Sequence, residues 1–280
     1  MKYSFGLHKS PYDSRDLLVR SFFKAEKLPV KFSLRNKMSP VRNQGNEGSC
    51  AGHAGAYAKE YQELMDVKKK LCLSPRYIYE EAKLISGHSV GTTLRAICEA
   101  LLKKGICEER FWPYIPNDDG ERSPLADKNA EKYKIRAYAR VTSIDELKQT
   151  IYLSRLPSET GIKTCFSGIL LYKGAIGKQA KTTGFTPDPT CWDTINGTIG
   201  GHALWPVEWD DESKGYKDDG HIAFEGSWGE DFGDEGIHYF SYKNLNANMI
   251  DCMAIVDMPG SGLPLTVASL SEIDRKELWV

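Results

Sequence analysis

From Ser49 onward, apolar residues recur at spacings of three and four: Ala51, Ala54, Tyr57, Ala58, Tyr61, Leu64 and Met65. This pattern predicts a helix with Ser49 as N-cap, and it places Cys50 in the first turn. Ser74-Pro75 opens a second helix through Tyr77, Ile78, Ala82 and Ile85, because proline is preorganised for the first helical position. A third runs from Thr93 to Lys104, with Leu94, Ile97, Cys98, Leu101 and Leu102 as its buried stripe and Gly105 closing it. Residues 1–40 mix charges, prolines and isolated apolar residues without periodicity, which predicts an extended arm laid over the body.

After a Pro-rich, polar stretch from Pro113 to Asn129 the period changes. Ser143 and Glu146 form a capping box for one short helix. Strands follow at Thr164–Tyr172, Ala203–Trp209, His221–Glu225 and Ile237–Tyr242, rich in branched and aromatic residues. Gly/Asp clusters (DDESKGYKDDG, GEDFGDEG) separate the last three as hairpin loops. The expected organisation is α+β: an arm at 1–40, a helical lobe at 41–128, a β lobe at 129–258 and a C-terminal tail at 259–280. Pro206 inside a strand predicts an edge or a bulge there.

Composition narrows the function classes. Basic and acidic side chains number 37 and 38, so no global field draws nucleic acid or an anionic membrane to the surface. The charged N-terminus lacks a signal peptide's apolar segment, and no run approaches the ~18 apolar residues of a membrane span. Cytoplasmic is the default expectation, with a virion or release by lysis compatible. Seven widely spaced cysteines without a C-x-x-C pair disfavour a zinc cage or redox motif. The acidic loops lack calcium-ligand spacing because Lys214 falls on a ligand position, so neither metal nor cofactor is expected. Assembly into a larger complex is not readable here.

The chemistry concentrates in VRNQGNEGSCAGHAGAY, where a glycine-rich turn leads into the helix that begins at Cys50. Unpaired N–H groups and the dipole at a helix N-terminus lower a thiol's pKa, and the thiolate is the nucleophile. The Cys50 N–H and the Gln44 side-chain amide are placed to receive an oxyanion. Alone, a cysteine at a helix start is ordinary packing. Of the six histidines, His202 stands out as the base: it enters a strand after two glycines in TIGGHALWPVEWDD, 152 positions after Cys50. His53 and His88 lie on the nucleophile's own lobe, and His221 and His238 read as strand or strand-edge residues.

QGNEGSCAGHA resembles the nucleophile segment of papain-like cysteine peptidases (peptidase C1). GGHALWPVEWDD resembles their histidine strand, and FEGSWGEDFGDEGIHYF their Asn-Ser-Trp-Gly segment. LSPRYIYEEA and GTTLRAICEALLKKGICEERFWPY resemble helices of microbial members that lack the long inhibitory propeptide. The resemblance covers roughly residues 35–256. It implies a two-lobe fold, helical lobe plus antiparallel β-barrel-like lobe, with the active-site cleft between them. It implies a peptide or protein substrate, and it gives Gln44, Cys50, His202 and Trp228 their family roles, Trp228 as a lid over the imidazole.

The match breaks at Gly226, where the family has the asparagine that orients the histidine. Loss of an orienting group costs up to ~10⁴-fold in turnover, less where a thiolate–imidazolium pair fixes the ring itself. Strand alternation points Glu225 away from Gly226's face; Asp193, Asn196 or a water are other substitutes. Either the protein cleaves amide bonds through a Cys–His pair and a thioester, or it is a degenerate member that binds peptides or serves as a structural component. Glu47 stands where secreted members carry a paired cysteine, and Ala51 where a tryptophan often follows the nucleophile, which opens the site beside Cys50.

Overall fold

Side-chain caps begin several helices where the sequence places them. The computed structural model describes residues 3–156, 161–213, 215–216 and 219–256. The expected tail at 259–280, and Lys214, Lys217 and Asp218 of the acidic loop, lie outside them. The arm contributes β1 (Leu7–His8) and β2 (Lys31–Ser33), followed by α1 (Cys50–Val67), α2 (Pro75–Ser86), β3 (Thr92–Thr93) and α3 (Leu94–Lys103). Ser74 caps α2 by accepting from the Tyr77 N–H, with Pro75 at the first helical position; Thr93 caps α3 by accepting from the Ala96 N–H. Ser49 precedes α1 without a side-chain cap bond, because its hydroxyl is held by Tyr114 Oη at 2.6 Å.

Every residue of α1 from Cys50 to Gln62 is buried, so this helix runs through the interior. It packs on β5 and β6 of the sheet described next, and α2 and α3 flank it. A Cβ on Gly52 would come 2.7 Å from the Pro75 carbonyl, and one on Gly55 2.6 Å from Ile97 Cγ2. The small residues of α1 thus let α2 and α3 approach within one lobe.

α4 (Ala126–Ala130), β4 (Ala137–Arg140) and α5 (Ile144–Leu153) lead into β5 (Ile162–Leu171), β6 (Gly200–Asp210), β7 (His221–Glu225), β8 (Ile237–Ser241) and β9 (Met249–Val256). Ser143 caps α5 from the Glu146 N–H at 3.1 Å, but the Glu146 carboxylate takes the N–H of Thr142, one residue before the cap. The described sheet runs β4-β9-β5-β6-β7-β8, with β2 also on β6, and its pairs are antiparallel. The first half of β6 pairs with β5 and the second half with β7 and β2, with the register shift between Pro206 and Glu208. Proline cannot donate to a ladder, so it sits where the strand changes partners, and that change curls the sheet. No described helix is long and apolar enough to cross a membrane.

Candidate active site

His202 lies near the start of β6, opposite Ile169 of β5, before the strand turns to β7 at Trp205. Trp228 covers it, the two rings stacked with centroids 4.3 Å apart at 25°. Beside them the loop before α1 is laced to the loop after β7. Gln44 N–H donates to the Ser227 carbonyl at 2.7 Å, Gly229 N–H to the Arg42 carbonyl at 3.0 Å, and Ser227 Oγ to Gln44 Oε1 at 2.5 Å. Gln44 and Trp228 are therefore parts of one unit, and the amide nitrogen of Gln44 donates to the Glu47 carbonyl of its own loop at 2.7 Å. Glu47 anchors the same loop by a bidentate ion pair with the buried Arg76. That pair ties the loop to α2.

The N-terminal arm fills the space between these walls. Tyr3 and Phe5 pack on Trp228 at 4.9 and 5.8 Å between ring centroids. The Ser4 carbonyl accepts from Gln44 Nε2 at 3.2 Å, and the Gly6 carbonyl from the Thr92 N–H at 2.9 Å. β1 then continues parallel to β3. At Gly6 a Cβ would lie 1.8 Å from the Gly48 carbonyl oxygen, so only glycine fits. Across the cleft, a Cβ on Gly201 would lie 2.4 Å from the Leu7 carbonyl. Further along, Asp16 clamps the arm through ion pairs to Arg95 and, at 2.8 Å, to Arg140.

Covered in this way, Cys50 and His202 are both 0% exposed. The N–H groups of Cys50 and Ala51 at the start of α1 do face the thiol, joined by those of Ala203 and Gly6. Burial outweighs them and pushes the Cys50 thiol above its ordinary value. His202 is pushed well below 6.5, first by burial and then by His238 and His53. The expectation of a lowered thiol pKa is thus corrected for this covered state: a dry cleft favours a neutral thiol beside a neutral imidazole over an ion pair. Ala51 is also fully buried here and leaves no open space beside the nucleophile.

The buried histidines set an acid limit on stability. His53 and His202 sit well below 6.5, and His238 is pushed down to about 3, burial leading in each case. Between these folded values and 6.5 the unfolded chain binds more protons, so stability rises with pH and is lost as pH falls. Glu225, raised well above 4.5 by burial, contributes the opposite slope above that pH and offsets one histidine. The expected result is an unfolding free energy that drops between pH 7 and pH 5, each titrating group contributing a limiting slope of about 1.4 kcal/mol per unit. Urea unfolding at several pH values measures it; a flat profile would contradict the burial of neutral imidazoles.

The proposed orienting groups fare unequally. Asp193 is spent on the capping box with Thr190, and Asn196 on the Trp192 carbonyl, both on the surface helix Cys191–Asn196. Glu225 follows strand alternation and lies by Tyr57, Arg42 and Glu60. His238, read only as a strand residue, lies 6.0 Å from His202 between ring centroids. The β7–β8 register that brings it there was the missing signal. His53 is fully buried edge-on to Tyr114, and His88 stacks on His8 of the arm.

A helical lobe and a curled antiparallel sheet, with a cysteine at a helix N-terminus facing a histidine strand, define the papain-like two-lobe class. The papain family cysteine protease model matches residues 28–258, and the chain belongs to that family. It is 26% identical over 267 residues to an uncharacterized peptidase C1-like protein of Acanthamoeba polyphaga mimivirus, covering 86% of this chain and 82% of that protein. It is 27% identical over 232 residues to cathepsin K of Mus musculus, covering 81% of this chain but only 64% of that longer protein. Among solved structures it is similar to xylellain, a cysteine protease from Xylella fastidiosa, with a TM-score of 0.73 and 27% identity over 91% of this chain and 96% of that one.

Proposed function

We propose that the protein is a cysteine peptidase or amidase whose cleft is covered by its own residues 3–8. The observation that carries this is the Ser4 carbonyl on Gln44 Nε2 at 3.2 Å. The arm already lies on the nucleophile, with the Gly6 N–H on the Cys50 thiol and the Ser4 carbonyl sharing Gln44 Nε2 with the Glu47 carbonyl at 2.7 Å. When the arm leaves, water returns, the thiolate and imidazolium are solvated again, and the Cys50 proton passes to His202. The thiolate attacks a substrate carbonyl, forming the S–C bond, while the Cys50 N–H and Gln44 Nε2 receive the oxyanion. His202 gives its proton to the amine as the C–N bond breaks, leaving a thioester. Water then attacks the thioester carbonyl, His202 takes its proton, and the acid departs as the thiol re-forms. Trp228, stacked on the imidazole, keeps water from that face.

Incubation with a diverse peptide mixture, read by mass spectrometry, tests this. New termini that appear with the protein and not with its Cys50→Ala variant are expected. Gln44→Ala is expected to lower kcat by about 10²–10³-fold with KM little changed, the loss typical of one oxyanion donor. Gly226 favours a second reading, in which the cleft binds peptide without cutting it. No new termini, with stoichiometric peptide binding retained in Cys50→Ala, would establish that reading and remove the first. The seven cysteines are unpaired, which supports a reducing, cytoplasmic setting.

A further inference from the structure

The side chain missing at Gly226 leaves no hole. A Cβ built there would lie 2.2 Å from His238 Nε2 and 2.6 Å from its Cδ2, so an imidazole fills the volume, nitrogen foremost. The sheet register explains how it arrives. β7 and β8 pair Phe224 with His238, and the Gly226 N–H donates to the Gly236 carbonyl at 3.0 Å. His238 is then diagonal to position 226 and on its face of the sheet, whereas Glu225 points to the other face.

Packing holds this ring firmly. It stacks on Phe232, with centroids 4.6 Å apart at 18°, and meets Trp228 edge-on at 5.1 Å. Trp228 in turn stacks on His202, so one indole braces both imidazoles. His238 Nε2 and both ring nitrogens of His202 are buried without a hydrogen-bond partner among the described residues. Buried polar nitrogens demand partners, and two such rings 6.0 Å apart within the same aromatic enclosure can satisfy each other through one bridging water.

We propose that His238 is the positioning residue for His202, its Nε2 doing from the neighbouring strand what an asparagine at position 226 would do from its own. This rests on the Cys50–His202 reading. His238 fixes which His202 nitrogen carries the proton and how the ring is turned, and it touches neither substrate nor the thioester.

The test is an exchange between the two positions. His238→Ala is expected to lower kcat about 10- to 100-fold with KM within about twofold, the range seen when a group that orients a metal-bound histidine is lost and below the ~10⁴-fold limit for a catalytic triad. Gly226→Asn alone clashes with the imidazole and is expected to lose activity as well. The double variant Gly226→Asn/His238→Ala is expected to recover most of the wild-type kcat, a rescue that a purely structural role would not give. Nitrogen-15 NMR of the imidazoles is expected to show one neutral His202 tautomer in the wild type and a mixture in His238→Ala.

An unchanged kcat and an unchanged tautomer in His238→Ala would overturn the proposal. So would a double variant that folds with the wild-type unfolding temperature yet is no more active than His238→Ala. If the double variant does not fold, His238→Gln decides instead: more activity than His238→Ala supports positioning, and equal activity overturns it. If neither the wild type nor a chain opened by Gly6→Val cleaves anything, the peptidase reading fails, and the tautomer measurement alone still decides the role of His238.

Discussion

Gly6→Val is expected to expose Cys50, raising its rate of alkylation by iodoacetamide about 10- to 100-fold over the wild type. A Cβ at position 6 would stand 1.8 Å from the Gly48 carbonyl oxygen, a backbone atom at the start of the nucleophile turn. Overpacking of this kind costs about 1–3 kcal/mol, and each ~1.4 kcal/mol moves the covered-to-open ratio tenfold. Exposure removes the burial that raises the thiol pKa, leaving the first-turn N–H groups of α1 to favour the thiolate. The pH midpoint for alkylation should therefore fall together with the gain in rate. Cys72 and Cys191, exposed in the covered protein, serve as internal references and should react at unchanged rates. If Cys50 remains as slow in Gly6→Val as in the wild type, the arm is not its cover.

Within that opened chain, Cys50→Ala is expected to remove peptide cleavage by a factor on the order of 10⁴–10⁶, as loss of a nucleophile does. His202→Ala should cost a similar amount, because the two act as one unit and their losses do not add. A double variant no worse than either single variant would show this in steady-state rates. Turnover that survives Cys50→Ala would place the chemistry elsewhere.

Much of the frame was legible because it is written locally. Ser74, Pro75 and Thr93 mark helix starts through their own hydroxyls and ring, and the chain obeys them. Pro206 announced a break in β6, and the register shift falls beside it. Met249–Val256 was not read as a strand: it pairs with both β4 and β5 and is buried along most of its length, so it lacks two-residue alternation. Ser49 looked like a cap, but a partner 65 residues away claimed its hydroxyl.

The site divides along the same line. Cys50, Gln44, His202 and Trp228 each sit in a short segment with a distinctive order of residues, so the sequence could nominate them. What governs them in the folded chain comes from afar. Residues 3–8 reach Gly48, Thr92 and Gly201 mainly through backbone atoms, which leave no pattern of side chains to read. The thiol's field was judged from its helix alone, while the arm decides its solvation. Gly226 was legible as a loss. Its replacement by His238 became visible only once β7 and β8 were in register.

The most direct measurement is the intact mass of the Gly6→Val protein during turnover of a slowly deacylated ester substrate. A transient adduct of the acyl group on Cys50, localised by peptide mapping and absent from Gly6→Val/Cys50→Ala, is the expected result. Ester cleavage that proceeds without any adduct on Cys50, and equally well in the Cys50→Ala chain, would contradict the assignment of Cys50 as the nucleophile.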